Sequence, residues 1–317
     1  MRYYYVLRRV IVMIFVGLTA CAPVWAQQEP SFAHYWAMEP SFNPAAAGKD
    51  EVINVTGAYD MTLVGFEHNP KTMYVAGDMQ LSLLGARHGV GLQLMNDDIG
   101  LFSHQRLAFQ YAYKHQLFGG TISIGVQVGM LSEKFKGSEL DLEEDNDDAF
   151  SKTDVNGMAM DVSAGIYYKH RRWYAGLSML HATAPTIELG ERSIYEMKRL
   201  YYLTGGYNIQ LRNPFLTIHP SLLAYTDGSA HRVDVTTRVK YTHDQKMLYA
   251  GAAYSPGNSV ALLIGGNFHG ITLGYSYEMY TSVLKIGNGS HELFVGYQTE
   301  LNLGKKGRNK HQSVRIL

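Results

Sequence analysis

Gly289-Ser290-His291-Glu292 puts a hydroxyl, an imidazole and a carboxylate in consecutive positions, the parts of a nucleophile with its base and orienting acid. Their spacing argues against that use. The run opens an apolar-alternating stretch, and neighbouring strand residues point to opposite faces, so Ser290 and Glu292 share one face and His291 takes the other. The chain also has no Gly-x-Ser-x-Gly elbow. The expected role is rim packing and hydrogen bonding, with no catalytic residue. The acidic run from Glu139 to Asp148 carries enough carboxylate for calcium or a basic cargo surface. It lacks the glycine that an EF-hand loop needs at its sharp turn, and a solvated loop is the simpler expectation. His104, His115, His219 and His243 do not have metal-ligand spacing. No metal or other cofactor is expected.

Cys21 is the only cysteine, which excludes a disulfide framework. It closes a lipobox-like Leu18-Thr19-Ala20-Cys21, while Val24-Trp25-Ala26 before Gln27 resembles an ordinary signal-peptidase site. Both follow Arg2, Arg8, Arg9 and an apolar stretch from Val10 to Ala20, which is the layout of a secretory signal. That stretch is too short for a transmembrane helix, which needs about twenty residues. Cleavage after Ala26 is the favoured outcome, because a barrel needs no lipid to stay in a membrane. The formal net charge of zero gives no electrostatic footprint for nucleic acid.

The elements that position these residues are strands. In Thr121–Met130, Ile122, Ile124, Val126, Val128 and Met130 share one face, opposite Thr121, Ser123, Gly125, Gln127 and Gly129. Leu107, Phe109, Tyr111 and Tyr113 likewise oppose Arg106, Ala108, Gln110 and Ala112. This periodicity yields about fourteen strands, at 51–60, 71–82, 87–96, 103–116, 119–130, 158–168, 172–180, 198–211, 215–226, 230–241, 246–254, 258–268, 270–280 and 290–303. Tight turns alternate with connections that are often longer, at 61–69, 97–102, 131–157, 181–197 and 281–289.

An even strand number with one short rim and one long rim predicts an all-β fold, a transmembrane outer-membrane β-barrel of antiparallel strands with an N-terminal signal peptide. A secreted β-sandwich is the alternative. The expected divisions are a signal peptide at 1–26, an N-terminal extension or plug at 27–50, the barrel at 51–303 and a basic tail at 304–317. Gly125, Gly129 and Gly274 either line a lumen or let a plug approach. The pairs Tyr167-Tyr168, Trp173-Tyr174 and Tyr201-Tyr202 are expected in interfacial girdles. Asn43, Pro44 and Gly48 precede the first strand. Pro44 biases Asn43 away from helix and Gly48 permits a sharp turn, which suits either a hook tucked against the barrel or a partner-binding peptide.

Two segments carry a family resemblance. Gln27-Gln-Glu-Pro-Ser-Phe-Ala-His-Tyr-Trp36 leading to Asn43-Pro44-Ala45-Ala46-Ala47-Gly48 resembles the mature opening of the PorP/SprF family of type IX secretion proteins from Bacteroidetes-type bacteria. Gly274-Tyr-Ser-Tyr277, Ser282, Gly289-Ser-His-Glu-Leu293 and Gly296-Tyr297 resemble its closing hairpin. The resemblance implies a non-enzymatic protein of the cell outer membrane, needed to export or attach cargo bearing C-terminal secretion signals. The implied partners are membrane lipid, periplasmic and outer-membrane lipoprotein components, the translocon and the cargo. Asn43, Pro44, Gly48, Gly289, Ser290, His291 and Glu292 become family-motif positions with a possible partner contact. A passive channel or hydrophobic-solute transporter and a secreted adhesin remain the alternatives. The basic tail from Lys305 and the Glu278 position depart from the family pattern.

Overall fold

The computed structural model describes residues 29–83, 85–139, 153–190, 193–244, 246–281 and 288–300. The signal region, most of the acidic run and the basic tail lie outside them. The wall strands are β1 (Val52–Met61), β2 (Lys71–Leu83), β3 (Ala86–Ile99), β4 (Phe102–Leu117), β5 (Gly120–Phe135), β6 (Val155–Lys169) and β7 (Trp173–Leu180). They continue with β8 (Leu200–Tyr207), β9 (Leu216–Thr226), β10 (His231–His243), β11 (Lys246–Ser255), β12 (Ser259–Phe268), β13 (Ile271–Tyr280) and β14 (Ser290–Glu300). Ile209–Gln210 resumes β8 against β9 after Asn208. Each strand pairs antiparallel with its neighbours in sequence, and β1 closes the ring on β14 from Val52↔Glu300 to Met61↔His291. The result is a closed fourteen-strand antiparallel barrel, which leaves no free first or last edge.

The two-residue periodicity sorts side chains between lipid and lumen. On β5 Val126 is 47% exposed while the adjoining Gln127 is 1% exposed. Strands cross the membrane here, and no helix among the described residues is long and apolar enough to do so. Several strands run past their expected ends. β5 continues to Phe135, β6 starts at Val155, and the connection expected to be long at 97–102 is a turn of Gly100 and Leu101. Beyond the apolar belt the outward positions turn polar, as at Ser132 and Lys134, so hydropathy stops alternating although the ladder continues to Phe102↔Phe135.

The connection expected at 181–197 contains a hairpin, Thr186–Leu189 paired with Ser193–Glu196. It folds onto the inner wall at the long-loop rim, where Ile187 packs with Leu131 and Met197. The aromatic pairs need a correction: Tyr167 and Tyr202 are buried inward, and Tyr174 packs against the lumenal cluster of Tyr167, Ala45 and Ala46. Trp173 and Tyr201 face out. Adjacent aromatics on a strand cannot both sit in one girdle.

Val126 occupies the middle of the outward apolar row of β5. Val126→Arg is expected to destabilise the barrel by about 2–4 kcal/mol, against about 0–1 for Ser132→Arg near the rim. Reversible urea unfolding in phospholipid vesicles measures both.

Candidate functional site

The lumen is occupied by the chain's own residues from Glu29 to Asp50, which enter at the long-loop rim and leave at the short-turn rim to begin β1. The segment has only single turns of 3-10 helix, Tyr35–Ala37, Glu39–Ser41 and Pro44–Ala46. Amides from Tyr35 to Lys49 pair in part with the segment's own carbonyls, and the buried groups that remain have to find partners outside it. The wall supplies them. The consecutive carbonyls of Pro40, Ser41 and Phe42 accept from Gln110 Nε2 (2.6 Å), Arg106 (3.2 Å) and Ser178 Oγ (2.6 Å). Gln127 Oε1 accepts from both Gln110 and Gln93, which fixes the donor that faces Pro40.

Asn43 is fully buried and works on both sides of the contact. Its Oδ1 accepts from the Ala45 amide at 3.0 Å, capping the last helical turn, and its Nδ2 donates to the Ile166 carbonyl on β6 at 3.1 Å. Gly165 makes room for it, since a Cβ there would lie 2.2 Å from Asn43 Oδ1. Pro44 opens the turn against Gly125, where a Cβ would meet the Ala45 nitrogen at 2.3 Å. Gly48 takes φ +61°, donates to Asp78 Oδ2 at 2.7 Å and abuts the Met79 carbonyl. Gly274 also meets the segment, at His34, whereas Gly129 faces Ala108.

The closing-strand residues divide by face. Glu292 points inward and holds the start of the segment, accepting from the Ala33 amide (2.6 Å), the His34 amide (3.1 Å) and His34 Nδ1 (2.5 Å). Ser290 also points inward, where its Oγ accepts from Leu63 N and bonds Tyr280 OH at 2.7 Å. His291 lies on the other face against Tyr275 OH, apart from Ser290 and Glu292. Gly289, at φ +79°, accepts at its carbonyl from Val64 N at 2.9 Å in the loop. Asn43, Pro44, Gly48 and Glu292 thus converge on one interior contact, while Gly289, Ser290 and His291 build the rim beside it.

Other members of this contact carry no motif. Glu29 bonds Arg106 at 3.1 Å and His181 Nε2 at 2.8 Å, and Asp161 lies 3.1 Å from the other ring nitrogen of His181. Burial would raise the Glu29 carboxyl, but Arg106 and His181 outweigh it and hold the group down at about 2. Burial would likewise lower His181, and Asp161 and Glu29 instead raise it to about 9. Deeper in, Glu39 joins Lys49 at 2.5 Å and accepts from Tyr167 OH at 2.9 Å. The detectable signal is a charge at an inward strand position, as at Arg106 and Asp161. Cavities between the segment and the wall, such as those at Arg232, at Tyr202 and at Tyr195, hold about 20 Å³ each, the scale of a single water.

Residues 24–297 match the family described as type IX secretion system membrane protein PorP/SprF. No curated protein matches the sequence. Among solved structures, the CymD monoaromatic hydrocarbon channel is similar at 9% identity and TM-score 0.50, over 84% of this chain and 93% of that one. The Pseudomonas putida toluene transporter TodX is similar at 11% identity and TM-score 0.48, over 86% and 95%. A Pseudomonas aeruginosa FadL homologue is similar at 10% identity and TM-score 0.47, over 81% and 91%. At these identities the likeness is one of barrel fold.

Gly125→Val is expected to expel the Pro44–Ala46 turn at an overpacking cost of about 1–3 kcal/mol. The segment becomes open to protease while the barrel keeps its heat-modifiable migration on gels. Glu29 and His181 set the pH window of the outer end. The contribution of Glu29 is full above its free value of 4.5 and is lost as pH falls toward about 2. That of His181 is full below 6.5 and is lost as pH rises toward about 9. Maleimide labelling of a Ser31→Cys variant, corrected by a free-peptide control, should be slowest between those free values. Glu29→Gln should remove the acid limb, and His181→Gln the alkaline one.

Proposed function

Because the chain belongs to the PorP/SprF family of type IX secretion system membrane proteins, we propose that it serves that apparatus as a sealed, non-enzymatic docking body in the outer membrane. It engages envelope partners on its two rims, and its substrates are indirect, the exported proteins that carry C-terminal secretion signals. The observation that carries this reading is the family match over most of the chain, combined with a lumen taken up by residues 29–50. A wall whose inner polar groups are spent for the most part on the chain's own segment has its remaining recognition chemistry toward the rims. Asn43, Pro44, Gly48 and Glu292 then act as positioning residues that keep the body shut, and Ser290 and His291 shape the outer rim.

The alternative is a passive channel for hydrophobic solutes, favoured by the likeness in fold to the CymD monoaromatic hydrocarbon channel. It requires the segment to leave or shift, because residues 29–50 occupy the lumen and pack on both sides of the wall.

Deletion of the gene is expected to block surface delivery of proteins with C-terminal secretion signals, and export at the parental level would sink the proposal. Purified wild-type barrel in planar bilayers should show no steady conductance. A stable open conductance, or toluene uptake into barrel-containing liposomes, would favour the channel.

A further inference from the structure

We propose that the inner vestibule at the short-turn rim, on the wall made by β9 to β13, receives a carboxylate side chain from an acidic extended segment of a periplasmic protein. This deepens the docking reading and rests on it for the identity of the partner.

Charge is distributed unevenly along the lumen. Glu29, Asp97, Glu133, Asp161 and Glu292 gather toward the long-loop end, each with a hydrogen-bond or ion-pair partner. Toward the short-turn end the inner face of β9 and β10 presents His219, Arg238 and Lys240, in register as His219↔Arg238 and Thr217↔Lys240. Neither Arg238 nor Lys240 has an ion pair among the described residues. The closest carboxylate of the segment, Glu39, is already taken by Lys49 and Tyr167. Arg238 is 6% exposed and lies over the ring of Trp36, 3.6 Å from its centroid. Lys240 is half-buried, one inward step closer to the opening.

Two unmet donors lie at this place. Arg238 Nε and Trp36 Nε1 are buried without a partner, whereas the Tyr249 hydroxyl, across from Lys240 in the β10 and β11 register, has the equally unmatched His34 Nε2 beside it at Gly274. An arginine Nε and an indole N–H can only donate. Two cations without an ion pair and two donors without an acceptor describe a missing anionic acceptor, and leaving them unmet is costly. A protein partner, rather than a free ion, follows from what surrounds the opening. Arg171, Arg172, Arg212 and Lys246 are exposed on the same rim, against the exposed carboxylates Glu51, Asp244 and Glu300, of which Glu51 is paired with Arg87. That excess of cations steers an acidic chain toward the opening where Lys240 and Arg238 have no ion pair among the described residues.

The test uses the mature full-length protein in detergent and fluorescein-labelled peptides of alternating Glu and Ser, alternating Lys and Ser, and Gly and Ser, read by anisotropy. The acidic peptide alone should bind, and binding should weaken between about 50 mM and about 300 mM salt as charges are screened. Lys240→Glu, which offers Arg238 an internal carboxylate, should weaken it by about tenfold or more, the loss of one good charge pair. Lys240→Gln should fall between, and both variants should keep heat-modifiable migration. Equal binding of acidic and uncharged peptides would overturn the inference. So would unchanged affinity in both Lys240 variants, which would place binding on the rim alone, or displacement of the peptide by inorganic phosphate or lipopolysaccharide at matched charge. Acidic-peptide binding with the expected Lys240 dependence, but no type IX component recovered on cross-linking in cells, supports the vestibule and removes the docking reading.

Discussion

The structure depends on one constraint: an irregular backbone held at membrane depth must find in the wall around it every hydrogen bond that it does not make within itself. Residues 29–50 have only isolated 3-10 turns, so part of their amides and carbonyls is left to the barrel. The inner face of the barrel is built to this requirement. Arg106 and Gln110 on β4 and Ser178 on β7 meet three carbonyls in succession. Glu292 accepts two successive amides at the start of the segment, and Asp78 accepts the Gly48 amide at its end. Around these bonds lie apolar contacts, Phe32 and Met38 against Tyr74 and Phe294 on one side, and Tyr35 and Phe42 against Tyr202 and Leu223 on the other. Sealing the pore and stabilising the barrel are therefore performed by the same side chains.

That coupling explains why some features are legible in the sequence and others are not. Alternation is local, so the face assignment of Ile122 to Met130 and the existence of fourteen strands follow from residue order alone. Strand ends do not, because beyond the lipid belt no hydropathy difference marks the face while the ladder still runs. The pairs Tyr167-Tyr168 and Tyr201-Tyr202 depart from the girdle expectation for a related reason: composition suggests girdles, whereas phase sends one member of each pair inward. Asn43, Pro44, Gly48 and Glu292 stand out as unusual residues in unusual places, yet their partners lie far away in sequence. Asn43 reaches Ile166 across 123 positions and His34 reaches Glu292 across 258. No periodicity encodes such a pairing. Glu29 forms no motif, although its partner Arg106 stands out as a charge at an inward strand position.

Polarity along the lumen distinguishes the two ends in a way that the wall alone does not. At the long-loop end the charged side chains are balanced against one another, Glu29 and Asp161 against Arg106 and His181, and Asp234 with Glu278 against Arg232. A balanced network fixes geometry and offers little to a newcomer, since any incoming charge has to displace an existing partner. At the short-turn end the cations are left in excess, and the excess continues onto the turns. The interior is thus asymmetric, closed at the long-loop end by hydrogen bonds already made and left with unpaired cations at the short-turn end.

The same asymmetry bears on how a filled barrel takes part in secretion without becoming a hole. If a partner carboxylate enters at Lys240, the first interior group it meets is Arg238, and Arg238 lies on Trp36 of the segment itself. Trp36 in turn contacts Tyr249 and Phe294, and His34, two residues earlier, stacks on Phe294 while bonded to Glu292. Occupancy at Lys240 would therefore act on the segment at its aromatic midpoint, while the Glu29 and Asn43 contacts hold it on either side. Neutralising Arg238 there relieves an unmet charge without breaking those outer bonds, so the bound state is expected to be more tightly shut than the free one. On the proposed docking reading, such an event would report partner attachment through the barrel wall while the permeability barrier of the membrane stays intact.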